Sequence, residues 1–196
     1  MILKIVQTGD IVLRQFARPL SRDEILSEPV QELIVAMRDT MRDAPGVGLA
    51  APQVGMPFQL AVIEDAQDYI DKLPPGQAAE RRRVPVPFQA IINPTLTIEV
   101  ADEMHFFEGC LSVAGFTAIV PRALAVRVEC LNERAEPVTI QAEGWYARIL
   151  QHEIDHLHGK LYVDRMEPRS FSTLENFNRH WKDKSVADFW RATRHK

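Results

Sequence analysis

The stretch Leu150–Lys160, "LQHEIDHLHGK", constrains this chain more than any other. Ile149, Leu150, Ile154 and Leu157 recur with the spacing of one helix face, and Gly159 stands where such a helix is capped. Residues four apart in a helix lie one turn apart on the same side, so His152 and His156 can aim two imidazoles at one point, with Glu153 beside them. Two histidines and an acid in this order supply two metal ligands and a general base for an activated water, the arrangement hydrolysis needs. The bare histidine pair also arises by chance on solvated helices; Glu153 makes that reading weaker.

A catalytic site of the zinc type takes three protein ligands and keeps a fourth position open, so the third ligand decides the reading. The extended metalloprotease pattern is followed through Gly159 and then fails, because Tyr162 stands where its last histidine belongs. His158 points off the metal face, and nothing around Glu175 recommends it as the acid of the simpler protease pattern. Upstream, "FFEGCLSV" places Cys110 between a glycine and a leucine, and a thiolate there would complete a Cys-His-His set. The alternative for Cys110 is a small buried hydrophobe. Cys110 and Cys130 could form a disulfide, but in a reducing compartment a thiol is more often buried, metal-bound or catalytic.

The rest of the chain reads as one catalytic domain over residues 1–196, with a core at about 5–166 and a tail at 167–196. With 23 basic against 27 acidic residues the net charge is −4, and no basic block suggests nucleic-acid binding. No stretch reaches the ~20 apolar residues of a membrane span, and early charges at Lys4, Asp10 and Arg14 argue against a signal peptide, so a cytoplasmic protein is expected. "SEPVQELIVAMRDTMRDAPG" reads as an amphipathic helix with Ser27 as N-cap and Val30, Leu33, Ile34, Met37 and Met41 on one face. "FQLAVIE" reads as a buried strand, followed by a long surface excursion at 65–89 with Arg81–Arg83 as its solvated edge. "AIINPTLTIEV", "ALAVRVECLN" and "EPVTIQAEG" read as strands, the last two joined by a polar turn, and the tail with Trp181 and Trp190 reads as helical packing. The fold class is α+β: mostly antiparallel β-sheets around a central helix carrying HEIDH, with an N-terminal helix and a C-terminal helical tail.

"GVGLAAPQ" at Gly46–Gln53, "EGCLS" around Cys110 and "HEIDH" at His152–His156 stand in the order and form of three motifs of the peptide deformylases, and the chain resembles that family. The motifs lie about 55 and 40 residues apart, and the likeness runs over roughly residues 5–166. "SVAGFTAIVPR" and "WYARILQHEIDHLHGKLYVDRM" are similar to the branch that includes mitochondrial enzymes, although no transit segment is evident. The resemblance implies removal of the formyl group from the N-terminal formylmethionine of nascent polypeptides, with release of formate. It implies that Cys110, His152 and His156 hold one divalent metal, natively Fe(II), with zinc, nickel or cobalt able to replace it. Glu153 becomes the general acid and base for the metal's water, with the Gln53 amide and the Leu111 backbone N–H donating to the oxyanion. Val47, Phe106 and Ile149 are expected to line the methionine pocket and Gly48 and Gly109 to give backbone contacts, with Arg148 among the substrate-binding residues at a position where some members carry an apolar residue. Thr117 likewise stands where others carry arginine.

Two other functions compete. A metallopeptidase of the HExxH type would need neither Cys110 nor Gln53 and would cleave unformylated peptides, while a non-catalytic metal-binding domain would close the site with a fourth protein ligand. Nascent formylated chains are the expected partners, with the ribosome a possible one through the basic end "RATRHK"; the sequence leaves oligomeric state open.

Overall fold

A computed structural model describes residues 1–193; Arg194, His195 and Lys196, and with them half of the basic end, lie outside the described residues. A short helix α1 (Arg22–Leu26) precedes α2 (Glu28–Asp43), whose N-cap is Ser27 and whose Pro29 sits in the first turn, where a missing N–H costs nothing. Five strands then form one antiparallel path in chain order: β1 (Gly48–Ala50), β2 (Leu60–Asp65), β3 (Val86–Glu108), β4 (Phe116–Leu131) and β5 (Pro137–Glu143). The central helix α5 (Gly144–Leu157) follows directly, and a two-residue strand β6 (Ser172–Thr173) pairs with β4. Among the described residues no helix is long and apolar enough to cross a membrane.

The unbroken apolar run of β2 has a physical cause. Successive side chains of a strand face opposite sides, so Ala61 and Ile63 pack with Leu150 and Ile154 of α5, while Leu60 and Val62 pack with Ile34, Met37 and Met41 of α2. The sheet is sandwiched between two helices at this point. Ile149, Leu150, Ile154 and Leu157 are each at most 4% exposed. Their burial contributes on the order of 10 kcal/mol before chain entropy is set against it. That holds α5 in place despite the buried Arg148, Glu153, Asp155 and His156 it also carries.

β3 and β4 form a long hairpin whose connection, residues 109–115, carries Cys110. Register shifts near Ile92, Ile98 and Val100 bend it, so that its tip folds toward α5. The 65–89 excursion contains two short helices, α3 (Gln67–Ile70) and α4 (Gln77–Glu80), before joining β3. Of its arginines only Arg82 lies in solvent as expected, its side chain 52% exposed; Arg81 and Arg83 turn inward. The Arg83 guanidinium is 9% exposed and makes a two-pronged pair with Asp65 at 2.7 and 2.8 Å, while the Arg81 carbonyl accepts the Trp145 N–H at 2.9 Å. Gly144 permits that contact: its φ is +60°, and a Cβ there would stand 2.6 Å from Arg82 Cβ. The excursion is thus clamped onto the first turn of α5. The tail forms helices α6 (Leu174–His180) and α7 (Val186–Thr193), with Trp181 edge-on to Phe189 at 4.8 Å.

Candidate metal centre

His152 and His156 lie one turn apart on α5, and the hairpin tip brings Cys110 to the same point. Cys110 Sγ is 3.3 Å from His156 Nε2, which is 3.2 Å from His152 Nε2. Metal–nitrogen bonds near 2.05 Å and a metal–sulfur bond near 2.3 Å in a tetrahedron require ligand separations of about 3.3 Å for two nitrogens and about 3.6 Å for sulfur and nitrogen. Two of the three donor separations therefore already match tetrahedral edges, and all three donors lie within 4.8 Å of one another. Two imidazole lone pairs aimed at each other repel unless a proton or a cation lies between them, so the donor set fits a divalent metal. No fourth histidine, cysteine or acid joins this cluster among the described residues. The open position is what a catalytic site needs and a closed structural site lacks.

The ligands are held from behind. His152 Nδ1 donates to Glu108 Oε2 at 3.0 Å, which leaves Nε2 free to ligate. Glu108 also accepts from Arg122 at 3.1 Å and from Arg148 at 2.6 Å; Arg122 continues to Asp155, which Arg165 grips at 2.6 and 2.8 Å. Burial alone would raise the Glu108 carboxyl, but Arg122, His152 and Arg148 outweigh it and hold the group well below the usual carboxylate range. Burial also works against charge on His152, yet Cys110 and Glu108 prevail and raise its pKa. His156 is pushed down by burial and by charge on His152.

Glu153 faces the site from the helix and is 5% exposed, and its Oε2 makes no hydrogen bond within the described residues. Burial raises its carboxyl to about 7, and a bound dication would pull that value back down. β1 crosses directly over it: a Cβ on Gly48 would lie 2.1 Å from Glu153 Oε1, so only glycine permits this approach. The turn after β1 presents Gln53, 1% exposed, whose Oε1 accepts the Ala50 N–H at 2.8 Å. Its Nε2 points to Ser112 Oγ at 3.2 Å and weakly to Cys110 Sγ at 3.5 Å. The Leu111 N–H makes no hydrogen bond within the described residues.

Gln53, Glu108, Cys110, Leu111, His152 and Glu153 share one cavity of about 490 Å³, and Val47, Gly48, Gly109, Arg148 and Ile149 line it too. Phe106 does not. It is 7% exposed, packs on Trp145 at 6.1 Å, and lies under the Arg148 guanidinium at 5.3 Å; its neighbour Phe107 lines the cavity instead. Arg148 reaches the cavity wall but spends its donors on Glu108, Val120 O and Met104 O, and burial lowers its pKa. Glu175 is exposed on α6, paired with Arg179. Phe116, Arg83 and Leu174 also line the cavity and carried no local sequence signal.

A thiolate and two histidines around an open coordination position, with a buried acid beside it, define a mononuclear metal site of the hydrolytic class. A family model of polypeptide deformylases matches residues 2–172, and the chain belongs to that family. Peptide deformylase 1A, chloroplastic, of Solanum lycopersicum is 47% identical over 174 residues, 89% of this chain and 63% of that protein. The chain thus spans less than two thirds of that relative's length. The mitochondrial peptide deformylase of Homo sapiens is 41% identical over 170 residues, 87% of this chain and 70% of that one. A class I type b peptide deformylase from Acinetobacter baumannii, solved with Met-Ala-Ser bound, superposes with a TM-score of 0.75 at 32% identity, covering 85% of this chain and 99% of that one.

Proposed function

We propose that this chain is a peptide deformylase that hydrolyses the formyl group from the N-terminal formylmethionine of nascent polypeptides and releases formate. One observation carries the reading: Cys110 and His152, whose donor atoms cluster with that of the buried His156, line a cavity that also receives the unpartnered Glu153 carboxylate and the Gln53 amide. The Met-Ala-Ser seen in the Acinetobacter baumannii protein supports a peptide beginning with methionine as the occupant. The bound ion, Fe(II) in our reading, with zinc, nickel or cobalt able to replace it, would supply Lewis acidity and lower the pKa of a water molecule towards neutrality.

The chain's own residues do the rest. Glu153 takes a proton from the attacking water and returns it to the departing amine, so that formamide and water become free amine and formate. Gln53 Nε2 and the Leu111 N–H donate to the oxygen that gains charge as the formyl carbon becomes tetrahedral; donors placed in advance are worth ~3 kcal/mol each in other enzymes. Val47 and Ile149 offer apolar wall to the methionine side chain, with the Gly48 and Gly109 backbones beside it. The Glu108, Arg122 and Asp155 network keeps His152 oriented. We read residues 1–196 as one catalytic domain, acting where formylated chains are made: a cytoplasm of bacterial type, or an organelle of the kind named for the tomato and human relatives.

The test is formate release from formyl-Met-Ala-Ser by anaerobically metallated protein, with unformylated Met-Ala-Ser beside it. Deformylation that falls 100-fold or more in Glu153→Ala at unchanged metal content is expected. Cleavage of the unformylated peptide, or activity of the variant within threefold of the parent, refutes the reading.

A further inference from the structure

The C-terminal segment from Glu167 onward, which runs past the end of the family match, reaches the mouth of the catalytic cavity. The family match ends at residue 172, yet Leu174 lines the same cavity as Cys110 and Glu153. The segment is pinned along the hairpin by a row of contacts. The Glu167 N–H donates to Ile119 O at 2.8 Å, the buried Ser170 Oγ accepts the Ile119 N–H at 2.8 Å, and Ser172 and Thr173 pair with Thr117 and Phe116. The Leu174 N–H then donates to Gly115 O at 2.9 Å, and Thr173 Oγ1 accepts the Asn176 N–H to start α6. Beyond it, Phe177 and Phe189 close on Phe107 at 4.8 and 5.7 Å, which fastens the far end.

At the cavity end of this well-anchored segment three large apolar side chains, one of them from the hairpin, stay partly in water. The Phe116 and Phe171 rings stack nearly parallel, 4.9 Å apart and 7° from coplanar, and remain 38% and 43% exposed; Leu174 is 43% exposed. The charged residues near the mouth are committed elsewhere, Arg83 to Asp65 and Arg148 to Glu108. The chemistry left free at this edge is apolar. An exposed apolar patch held rigid beside a cavity is the mark of a binding surface, and this one is continuous with the place where the chemistry occurs. A peptide whose methionine is buried must leave by the mouth, and an extended chain advances about 3.3 Å per residue, so its next side chains meet this edge.

We infer that Phe116, Phe171 and Leu174 form a specificity wall for the residues after formylmethionine, selecting aromatic or branched aliphatic side chains at the second or third position. The inference rests on the deformylase reading and assigns the C-terminal segment a part in substrate choice. The wall residues touch substrate beyond the reacting atoms, so they act on selection and not on bond cleavage.

The experiment measures kcat/KM for formyl-Met-Ala-Ser, formyl-Met-Phe-Ser, formyl-Met-Ala-Phe and formyl-Met-Ala-Asp with the parent, Leu174→Ala, Phe171→Ala and Leu174→Lys. The parent should favour at least one phenylalanine peptide over formyl-Met-Ala-Ser by about tenfold, equivalent to about 1.4 kcal/mol, expressed in KM. Both alanine variants should bring that ratio below threefold, and Leu174→Lys should favour the aspartate peptide. Ratios within one preparation do not depend on how much of the enzyme is active, so partial misfolding cannot imitate the result. A parent ratio below twofold, or a ratio unchanged in both alanine variants, overturns the wall while leaving deformylation standing. Absence of formate from all four peptides removes both readings.

Discussion

Replacing Gly48 by alanine tests whether the approach of β1 sets the position of the catalytic acid. The added Cβ would lie 2.1 Å from Glu153 Oε1, 2.5 Å from Cδ and 2.8 Å from Cγ. Ordinary contact begins near 3.4 Å, so the closest pair falls short by about 1.3 Å. Neither partner yields easily: β1 pairs with β2 at Gly48 and Ile63, and the backbone of α5 is fixed by Leu150 and Ile154, 0% and 4% exposed. The carboxylate must therefore rotate away. A displacement of ~1 Å at a reacting group costs about 100-fold in rate, which predicts a kcat near that of Glu153→Ala. Metal content should stay near one per chain, because the three atoms nearest the added Cβ all belong to Glu153 and none to a ligand. Shortening the acid removes the closest atom and leaves the shorter carboxylate freer to turn aside, although Cγ at 2.8 Å stays tight, so Gly48→Ala with Glu153→Asp should turn over faster than Gly48→Ala alone, a non-additive pair. Gly46→Ala is the control, since its Cβ would be tight only against the end of the flexible Leu111 side chain at 3.0 Å and would meet the Gly48 and Met41 carbonyl oxygens at ordinary contact, 3.4 and 3.6 Å. Steady-state deformylation with metal analysis reads all four proteins. Gly48→Ala within threefold of the parent would refute the reasoning and show that Glu153 can work from elsewhere.

Gln53→Leu should lower kcat by two to three orders of magnitude with a smaller change in KM; a fall in Tm without a fall in kcat would assign Gln53 to holding Ala50 alone. Glu108→Gln removes the charge that orients His152 while keeping shape, and should speed metal loss to a chelator 10- to 100-fold; an unchanged loss rate would make the network purely a packing device. Fe(II)-loaded protein should lose activity in air within minutes to hours while the Ni(II) form keeps it and the Zn(II) form is stable but slower; equal decay in all three would take the Cys110 thiolate out of the metal's coordination.

What could be read in advance was whatever repeats at short range. The histidine pair follows from a helical period, α2 was legible from Ser27 and its apolar face, and the strand β2 from its apolar run. The glycines of "GVGLAAPQ" announced a close approach but not its object, because Glu153 lies about a hundred residues away along the chain. Arg83 looked solvated for the same reason: Asp65, its partner, sits 18 residues earlier, across two short helices without an apolar period. β6, two residues long, has no period to detect, so the arrival of Leu174 at the cavity had no local sign. Phe106 and Phe107 show the limit most sharply. Adjacent strand residues face opposite sides, so which ring lines the cavity is a question of parity. Parity can be counted along a regular strand, but β3 shifts register between Ile98 and Val100 and again between Val100 and Glu103. Each shift can exchange the two faces for everything that follows, and a one-residue slip inverts the set. The assignment of Phe106 to the pocket rests on the family resemblance, and a parity count along β3 could not have checked it; in the folded hairpin Phe107 faces the cavity and Phe106 turns to Trp145 and Arg148. Cys110 escapes the ambiguity because it lies in the connection beyond the strand, where hairpin closure and not strand parity sets its direction.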